Sequence, residues 1–311
     1  MSSRNNKSLI DLSSLEKTKI DRLFSVADEI SEGRSFGLAD AKRGSAIPFE
    51  GFGKTGALLF FEASTRTRMS FETACARLGI YPLRLDGKSG SSLEKGETFE
   101  DTILNVNAMK PSFLVIRCGD ELDFHDIAKK INTPILNAGW GKRGHPTQAL
   151  LDAYTIRKHL GTCEEQKVLI VGDVRHSRVA ASHFELSKKL GYEVALCGPK
   201  EFLPEHSQVK VFSSLKEGLQ WSTAAMALRV QLERHENKYS LADYRRDYGF
   251  TKENLKALSS KALIMHPGPI NQGTELDSEV LQDPRCQVLD QVSNGVFIRQ
   301  ALIYLTLSEE K

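Results

Sequence analysis

Apolar runs and amphipathic stretches alternate along this chain. Residues 57–61 are an apolar run with the length and flanking glycines of a buried strand. Beyond a polar interruption, Phe71, Ala74, Cys75 and Leu78 recur at i, i+3, i+4 and i+7, one face of a helix. Further strands are expected at 113–116, 134–136, 168–171, 193–197, 223–228 and 262–265. Helices are expected at 146–160, linking two halves, and around Val179, His183, Leu186 and Leu190. Ile20, Leu23, Phe24 and Ala27 give the stripe of a first helix, and Ser13-Ser14-Leu15-Glu16 reads as its capping box. Residues 294–307 are a mostly apolar helix, expected to be buried. Strands alternating with helices are the mark of an α/β fold with parallel sheets.

Composition narrows the function. At 311 residues the chain is long for one core, so two domains are expected. Hydrophobic content of 40% and charged content of 26% are ordinary for a soluble globular protein. The net charge is +2 with no concentrated basic tract, which argues against nucleic acid. Residues 1–8 are polar and lack an apolar signal region, and no run reaches membrane-spanning length. Five scattered cysteines, odd in number and without C-x-x-C spacing, fit a reducing cytoplasm and no structural metal.

The chemistry gathers where strands turn into helices. Ser64-Thr65-Arg66-Thr67-Arg68 falls at such a turn. There the first helical N–H groups lack intrahelical partners and the dipole favours an anion. Two hydroxyls and two guanidinium groups at that point suit a phosphate. Arg117, Arg178 and Arg229 also fall at strand ends or helix starts, and convergent arginines suggest a multiply anionic ligand. Separate surface ion pairs are the alternative. Arg175 lies beside Arg178 in the same turn. The glycine-rich loop at 86–100 leads into a helix near Thr98 and offers Lys88 and Lys95 as anion contacts or as a solvated surface. Gly139, Gly141 and Gly144 match G-x-G-x-x-G by letter only, and they lead to a turn presenting His145 and Gln148 at a helix start. Gly53-Lys54-Thr55 imitates a P-loop end, but Pro48 stands where its first glycine belongs. His266-Pro267-Gly268-Pro269 makes a stiff loop after the last strand.

Ser64-Thr-Arg-Thr-Arg68, His145-Pro-Thr-Gln148, the turn from Gly172 to Arg178, Arg229-Val-Gln231 and His266-Pro-Gly-Pro269 occur in one order and spacing. In these motifs, over nearly its whole length, the chain resembles the catalytic chains of aspartate carbamoyltransferases. Ornithine carbamoyltransferases would be expected to carry His-Cys-Leu-Pro where His266-Pro-Gly-Pro269 stands. The resemblance implies two doubly wound parallel-sheet domains with the active site between them. Residues 1–145 would bind carbamoyl phosphate, with helix 294–308 packing back on them, and 146–293 would bind L-aspartate. Ser64, Thr65, Arg66 and Thr67 would hold the phosphate. Thr67, Arg117 and His145 would face the carbamoyl oxygen, and Arg66, Thr67, Arg117 and His145 would be the catalytic set. Gln148 and the loop at Gly268 and Pro269, through the carbonyls of Pro267 and Gly268, would hold the carbamoyl amine. Lys95, Arg178, Arg229 and Gln231 would clamp the aspartate. Ser91 and Lys95 match a loop that enters a neighbouring subunit's site, which implies a homotrimer with shared sites. No cofactor or metal is implied. Regulatory or dihydroorotase subunits are compatible with these motifs, which do not distinguish their presence. Ser222 to Ala227 lacks an acidic residue often found there, and Gln272 stands where arginine is common. The alternatives are a carbamoyltransferase for another amino acid, against which Arg229 and Gln231 argue, and a non-catalytic homologue, whose motifs would be degraded.

Overall fold

The computed structural model describes residues 7–37, 46–47, 49–87, 91–205, 207–230 and 240–308. Its contacts divide the chain into two compact units, Met1–Leu150 with Val292–Lys311, and Leu151–Gln291. Among the described residues no helix is long and apolar enough to cross a membrane.

The first unit begins with α1 (Lys17–Ser31), whose stripe of Ile20, Leu23, Phe24 and Ala27 is buried. The predicted capping box does not form. Glu16 is the N-cap and makes no side-chain cap bond. The Ser13 hydroxyl instead donates to nearby Asp11 Oδ1 at 2.5 Å. A short parallel pair follows, β1 (Ser35–Phe36) with β2 (Ala46–Ile47). Then come β3 (Thr55–Phe60), α2 (Thr65–Arg77), β4 (Tyr81–Asp86), α3 (Phe99–Ala108), β5 (Phe113–Cys118), α4 (Phe124–Lys130) and β6 (Ile135–Trp140). The strands form a parallel sheet in the order β4-β3-β5-β6. β3, β5 and β6 are almost continuously buried, as strands covered on both faces must be. Leu59, Leu114, Ile116, Phe124, Ile127 and Trp140 share one core cluster, each large side chain contributing about 1.5–3 kcal/mol by burial.

The helix α5 (Pro146–Leu160) carries the chain from the first unit into the second. There follow β7 (Lys167–Val171), α6 (Arg178–Leu190), β8 (Glu193–Cys197), β9 (Lys210–Phe212), α7 (Leu215–Trp221), β10 (Ala224–Ala227), α8 (Leu241–Tyr248) and β11 (Leu263–Met265). The second parallel sheet runs β11-β10-β7-β8-β9. Leu169, Val171, Ala225, Ile264, Phe250 and Leu276 lie in its core. The last helix, α9 (Val288–Leu307), begins six residues before the predicted 294.

Each sheet has a point where strand order reverses. In the first it lies between β3 and β5, and in the second between β7 and β10. Open parallel sheets bind ligands outside the carboxyl ends of the strands flanking such a point.

Candidate active site

In the first unit, four residues separate the end of β3 from the start of α2. Ser64 is its N-cap, in extended backbone (φ −162°), and its hydroxyl makes no capping bond. The first i→i−4 bond runs from Arg68 N–H to Ser64 O at 3.2 Å, so the N–H groups of Thr65, Arg66 and Thr67 precede the helical ladder. The dipole adds partial positive charge there. Thr67 is buried, while Arg66 stands at the surface. Partial burial draws the Arg66 pKa below the usual arginine value.

Arg117 lies on the neighbouring strand, paired with Phe60 in the β3–β5 register. On its other side the register with β6 shifts. Ile116 pairs with Asn137 but Cys118 pairs with Trp140, so two residues of β6 face Arg117. A bulge of this kind re-aims a side chain. Arg117 Nη1 donates to Ala138 O at 3.4 Å, and its Nε lies 3.6 Å from Glu62 Oε2. The polar Asn137 continues β6 past the predicted end. Its Nδ2 donates to Ile10 O at 2.6 Å and its Oδ1 accepts from Gly139 N–H at 2.7 Å.

His145 and Gln148 follow β6 at the start of α5, both buried. The His145 carbonyl accepts from the Gln148 N–H at 3.0 Å. The G-x-G-x-x-G match builds this turn and no dinucleotide loop: Trp140 and Gly144 bridge antiparallel, and a Cβ on Gly141 would stand 1.8 Å from Asp120 Oδ1. The fold thus brings Ser64, Thr65, Arg66, Thr67, Arg117, His145 and Gln148 to the carboxyl ends of three adjacent strands. Ser91 flanks a short 3₁₀ turn, Ser92–Lys95, after edge strand β4, and Lys95 is exposed. Lys88 lies outside the described residues.

In the second unit Arg178 opens α6 after β7, capped by Ser177 Oγ, which accepts from Ala180 N–H at 3.2 Å. Arg229 follows β10, beside the end of β7, where Leu228 N–H donates to Val171 O at 2.8 Å. His266, Pro267, Gly268 and Pro269 follow β11, the next strand. His266 Nδ1 accepts from the Gly268 N–H at 2.7 Å, which shapes the loop. Three adjacent strands again carry the candidates at their carboxyl ends. Gln231 lies outside the described residues.

Two predicted arginines are engaged elsewhere. Arg68 Nη1 lies 2.5 Å from Asp86 Oδ2, with Glu72 at 3.6 Å from its Nε, and the Asp86 bond raises its pKa. Arg175 is paired with Glu205 at 2.7 Å on the exposed surface. Both belong to ion pairs, the alternative that strand-end placement alone leaves open. Conversely, Glu62, Glu275 and Arg299 escape sequence reasoning. Arg299 is buried in α9. It donates to Ser70 Oγ at 2.8 Å and Thr147 Oγ1 at 3.4 Å, and its guanidinium lies 5.3 Å from the Phe71 ring centre. It thereby braces the helix of Arg66 and the helix start of His145. A charge within an apolar helix was the available signal.

Known proteins are similar to this chain in sequence and fold. Residues 7–158 match the profile described as the carbamoyl-P binding domain of aspartate/ornithine carbamoyltransferase, and residues 164–306 match its Asp/Orn binding domain. The chain is 41% identical over 310 residues to the aspartate carbamoyltransferase catalytic subunit of Christiangramia forsetii, covering 97% of each chain. It is 45% identical over 260 residues to that of Desulfitobacterium hafniense, covering 82% of this chain and 83% of the other. Among solved structures, Trypanosoma cruzi aspartate transcarbamoylase in complex with carbamoyl phosphate and aspartate superposes with a TM-score of 0.81 at 28% identity, covering 98% of both chains. Domain profiles, relatives and architecture agree, and the chain belongs to the aspartate/ornithine carbamoyltransferase family.

Proposed function

We propose that the protein transfers the carbamoyl group of carbamoyl phosphate to the amino group of L-aspartate, giving N-carbamoyl-L-aspartate and phosphate, an early step of pyrimidine synthesis. One observation carries this reading. Each of two parallel sheets presents arginines at its switch point, Arg66 and Arg117 in one, Arg178 and Arg229 in the other. That pattern suits two anionic substrates. The T. cruzi enzyme, which shares the fold, was crystallised with carbamoyl phosphate and aspartate.

Ser64, Thr65, Arg66 and Thr67 hold the phosphate through hydroxyls, the guanidinium and open helix N–H groups. Thr67, Arg117 and His145 face the carbamoyl oxygen. Gln148 and the carbonyls of Pro267 and Gly268 take the carbamoyl amine, with Pro269 closing that loop. Arg178, Arg229 and Gln231 receive the two aspartate carboxylates. The aspartate amine attacks the carbamoyl carbon. The carbonyl oxygen gains negative charge, met by Thr67, Arg117 and His145 as an oxyanion hole. The bond from carbon to the phosphate oxygen breaks, and the departing phosphate takes the amine proton. Positioning two mutually repelling anions is the other part of the catalysis. The site is shared in a homotrimer, Ser91 and Lys95 serving the neighbouring subunit. Exposure of Lys95 supports that role. The protein works in the cytoplasm, a reading supported by its five free thiols.

The test is carbamoyl transfer by the purified chain with L-aspartate and L-ornithine in parallel. Product from aspartate alone is expected; product from ornithine, or none from either, would overturn the reading. Mixing Lys95→Ala and Arg66→Ala chains should restore activity if sites are shared, and absence of recovery despite subunit exchange would exclude sharing.

A further inference from the structure

Glu275 is wholly buried, and the proposed reaction does not use it. A carboxylate out of water is retained only where hydrogen bonds compensate it. Its donors are informative. Oε1 accepts from Asn271 N–H at 2.5 Å, and Oε2 accepts from Val230 N–H at 3.4 Å. Asn271 Nδ2 donates in turn to the Val230 carbonyl at 2.9 Å. Val230 is therefore held at both its N–H and its C=O by one short segment.

The same carboxylate faces the other candidate loop. Oε1 lies 3.4 Å from His266 Nε2. Because His266 Nδ1 accepts from Gly268 N–H, the ring proton belongs on Nε2, the nitrogen on the side of the carboxylate, and the pairing there is electrostatic rather than a hydrogen bond. On its backbone side, His266 N–H donates to Gln291 Oε1 at 2.9 Å, and Gln291 Nε2 donates to Asp152 Oδ1 at 2.7 Å. Glu275 is thus the junction between the residue after Arg229 and the first residue of the His266-Pro-Gly-Pro269 loop.

We infer that Glu275 is a positioning residue for the acceptor: it locks the Arg229-Val230 segment to the His266–Pro269 loop, and so sets the Arg229 guanidinium against the carbonyls of Pro267 and Gly268. This rests on the assignment of Arg229 to aspartate. Glu275→Gln keeps the volume but turns an amide N–H₂ toward one of the two backbone donors. An ångström of misplacement is worth up to about 100-fold in rate, so kcat/KM for aspartate should fall about 10- to 100-fold. The Kd for phosphate, which the first unit binds, should stay unchanged. Asn271→Ala removes only the bond to the Val230 carbonyl and should give a smaller fall in the same parameter. It carries the test if Glu275→Gln does not fold.

The deciding measurement is a double-mutant cycle with Arg229→Ala. If Glu275 acts through Arg229, either second substitution should lower kcat/KM by less than about twofold in that background. Full additivity, or equal weakening of phosphate binding, would overturn the positioning role alone. An Arg229→Ala enzyme with wild-type kcat/KM for aspartate would overturn the acceptor assignment, and this inference with it.

Discussion

Gly172→Ala should destabilise the second unit through two separable effects. The residue follows β7 with φ +116°, a region where an L side chain is strained by about 1–3 kcal/mol. A Cβ there would also stand 2.8 Å from the Tyr244 hydroxyl and 3.2 Å from the Leu228 carbonyl. Tyr244 is 1% exposed, with Phe202 at 5.9 Å and Tyr248 at 5.7 Å between ring centres, so it has little room to move. Overpacking of this kind costs about 1–3 kcal/mol. The sum is about 2–6 kcal/mol. Two other glycines isolate the parts. Gly33 has φ +94° with nothing within 4 Å of an added Cβ, so Gly33→Ala reports strain alone. At Gly56 an added Cβ would meet Phe113 Cζ at 2.3 Å, and Gly56→Ala reports the contact. Urea unfolding followed by circular dichroism measures all three. Because Leu228 precedes Arg229, Gly172→Ala should also raise the aspartate KM. A Gly172→Ala protein within about 1 kcal/mol of wild type, with unchanged KM, would refute the reasoning.

Other outcomes follow from single contacts. Arg66→Ala should lower kcat/KM for carbamoyl phosphate by about 10- to 150-fold, as loss of a charged hydrogen bond implies, while Arg68→Ala should change it less than about threefold; equal losses would place Arg68 in the site. Asp283 is hydrogen-bonded by Arg285 at 2.7 and 2.9 Å, which holds its carboxyl below the usual value of 3.8. Its folded pKa being the lower, this stabilisation is complete above the unfolded carboxyl range and is lost as the pH falls through the folded value. Asp283→Asn should therefore cost about 0.5–1 kcal/mol near neutrality, with the gap closing in strong acid; a gap that persists there would exclude the pairing. Burial pushes the Cys75 and Cys197 thiols up to about 12, so neither should react with an aromatic disulfide reagent at mildly alkaline pH until the chain unfolds. Rapid labelling of either in the native protein would contradict their placement.

Local pattern made the strand and helix that carry the candidate anion site of the first unit legible. The apolar run before Ser64 and the helical stripe from Phe71 to Leu78 point to one strand and one helix, and both form. Helix Pro146–Leu160 and strand Glu193–Cys197 occupy the residues their periodicity predicts. Edge strand β4 was hidden because Tyr-Pro-Leu-Arg-Leu-Asp is exposed along one side and carries Pro82, which pattern reads as a strand breaker. Arg68 could not be told from Arg66, since the distinction depends on Asp86, which is distant in sequence. Glu275 was equally silent. An acid after Gly273-Thr274 reads as surface, and only tertiary hydrogen bonds reveal it as buried.

The extra residue of β6 opposite Arg117 bears on how the gene can change. Below the bulge, β6 is in phase with the core through Ile135 and Leu136; above it, Trp140 is in phase with Cys118. Trp140 stacks on Phe124 at 4.7 Å and donates from Nε1 to Leu122 O at 2.7 Å, so its facing cannot invert cheaply. Deleting one codon at 138 or 139 would leave every preceding pair intact and restore plain alternation, with Trp140 still opposite Cys118, but it would remove the extra residue facing Arg117 and with it the local re-aiming of that side chain. A deletion on either side of the bulge would instead shift Ile135 or Trp140 out of phase with its partner strand. The bulge thus acts as a phase joint: it takes up one residue of strand length at Arg117, so a length change there alters the aim of that side chain rather than the facing of the core end or of the rim.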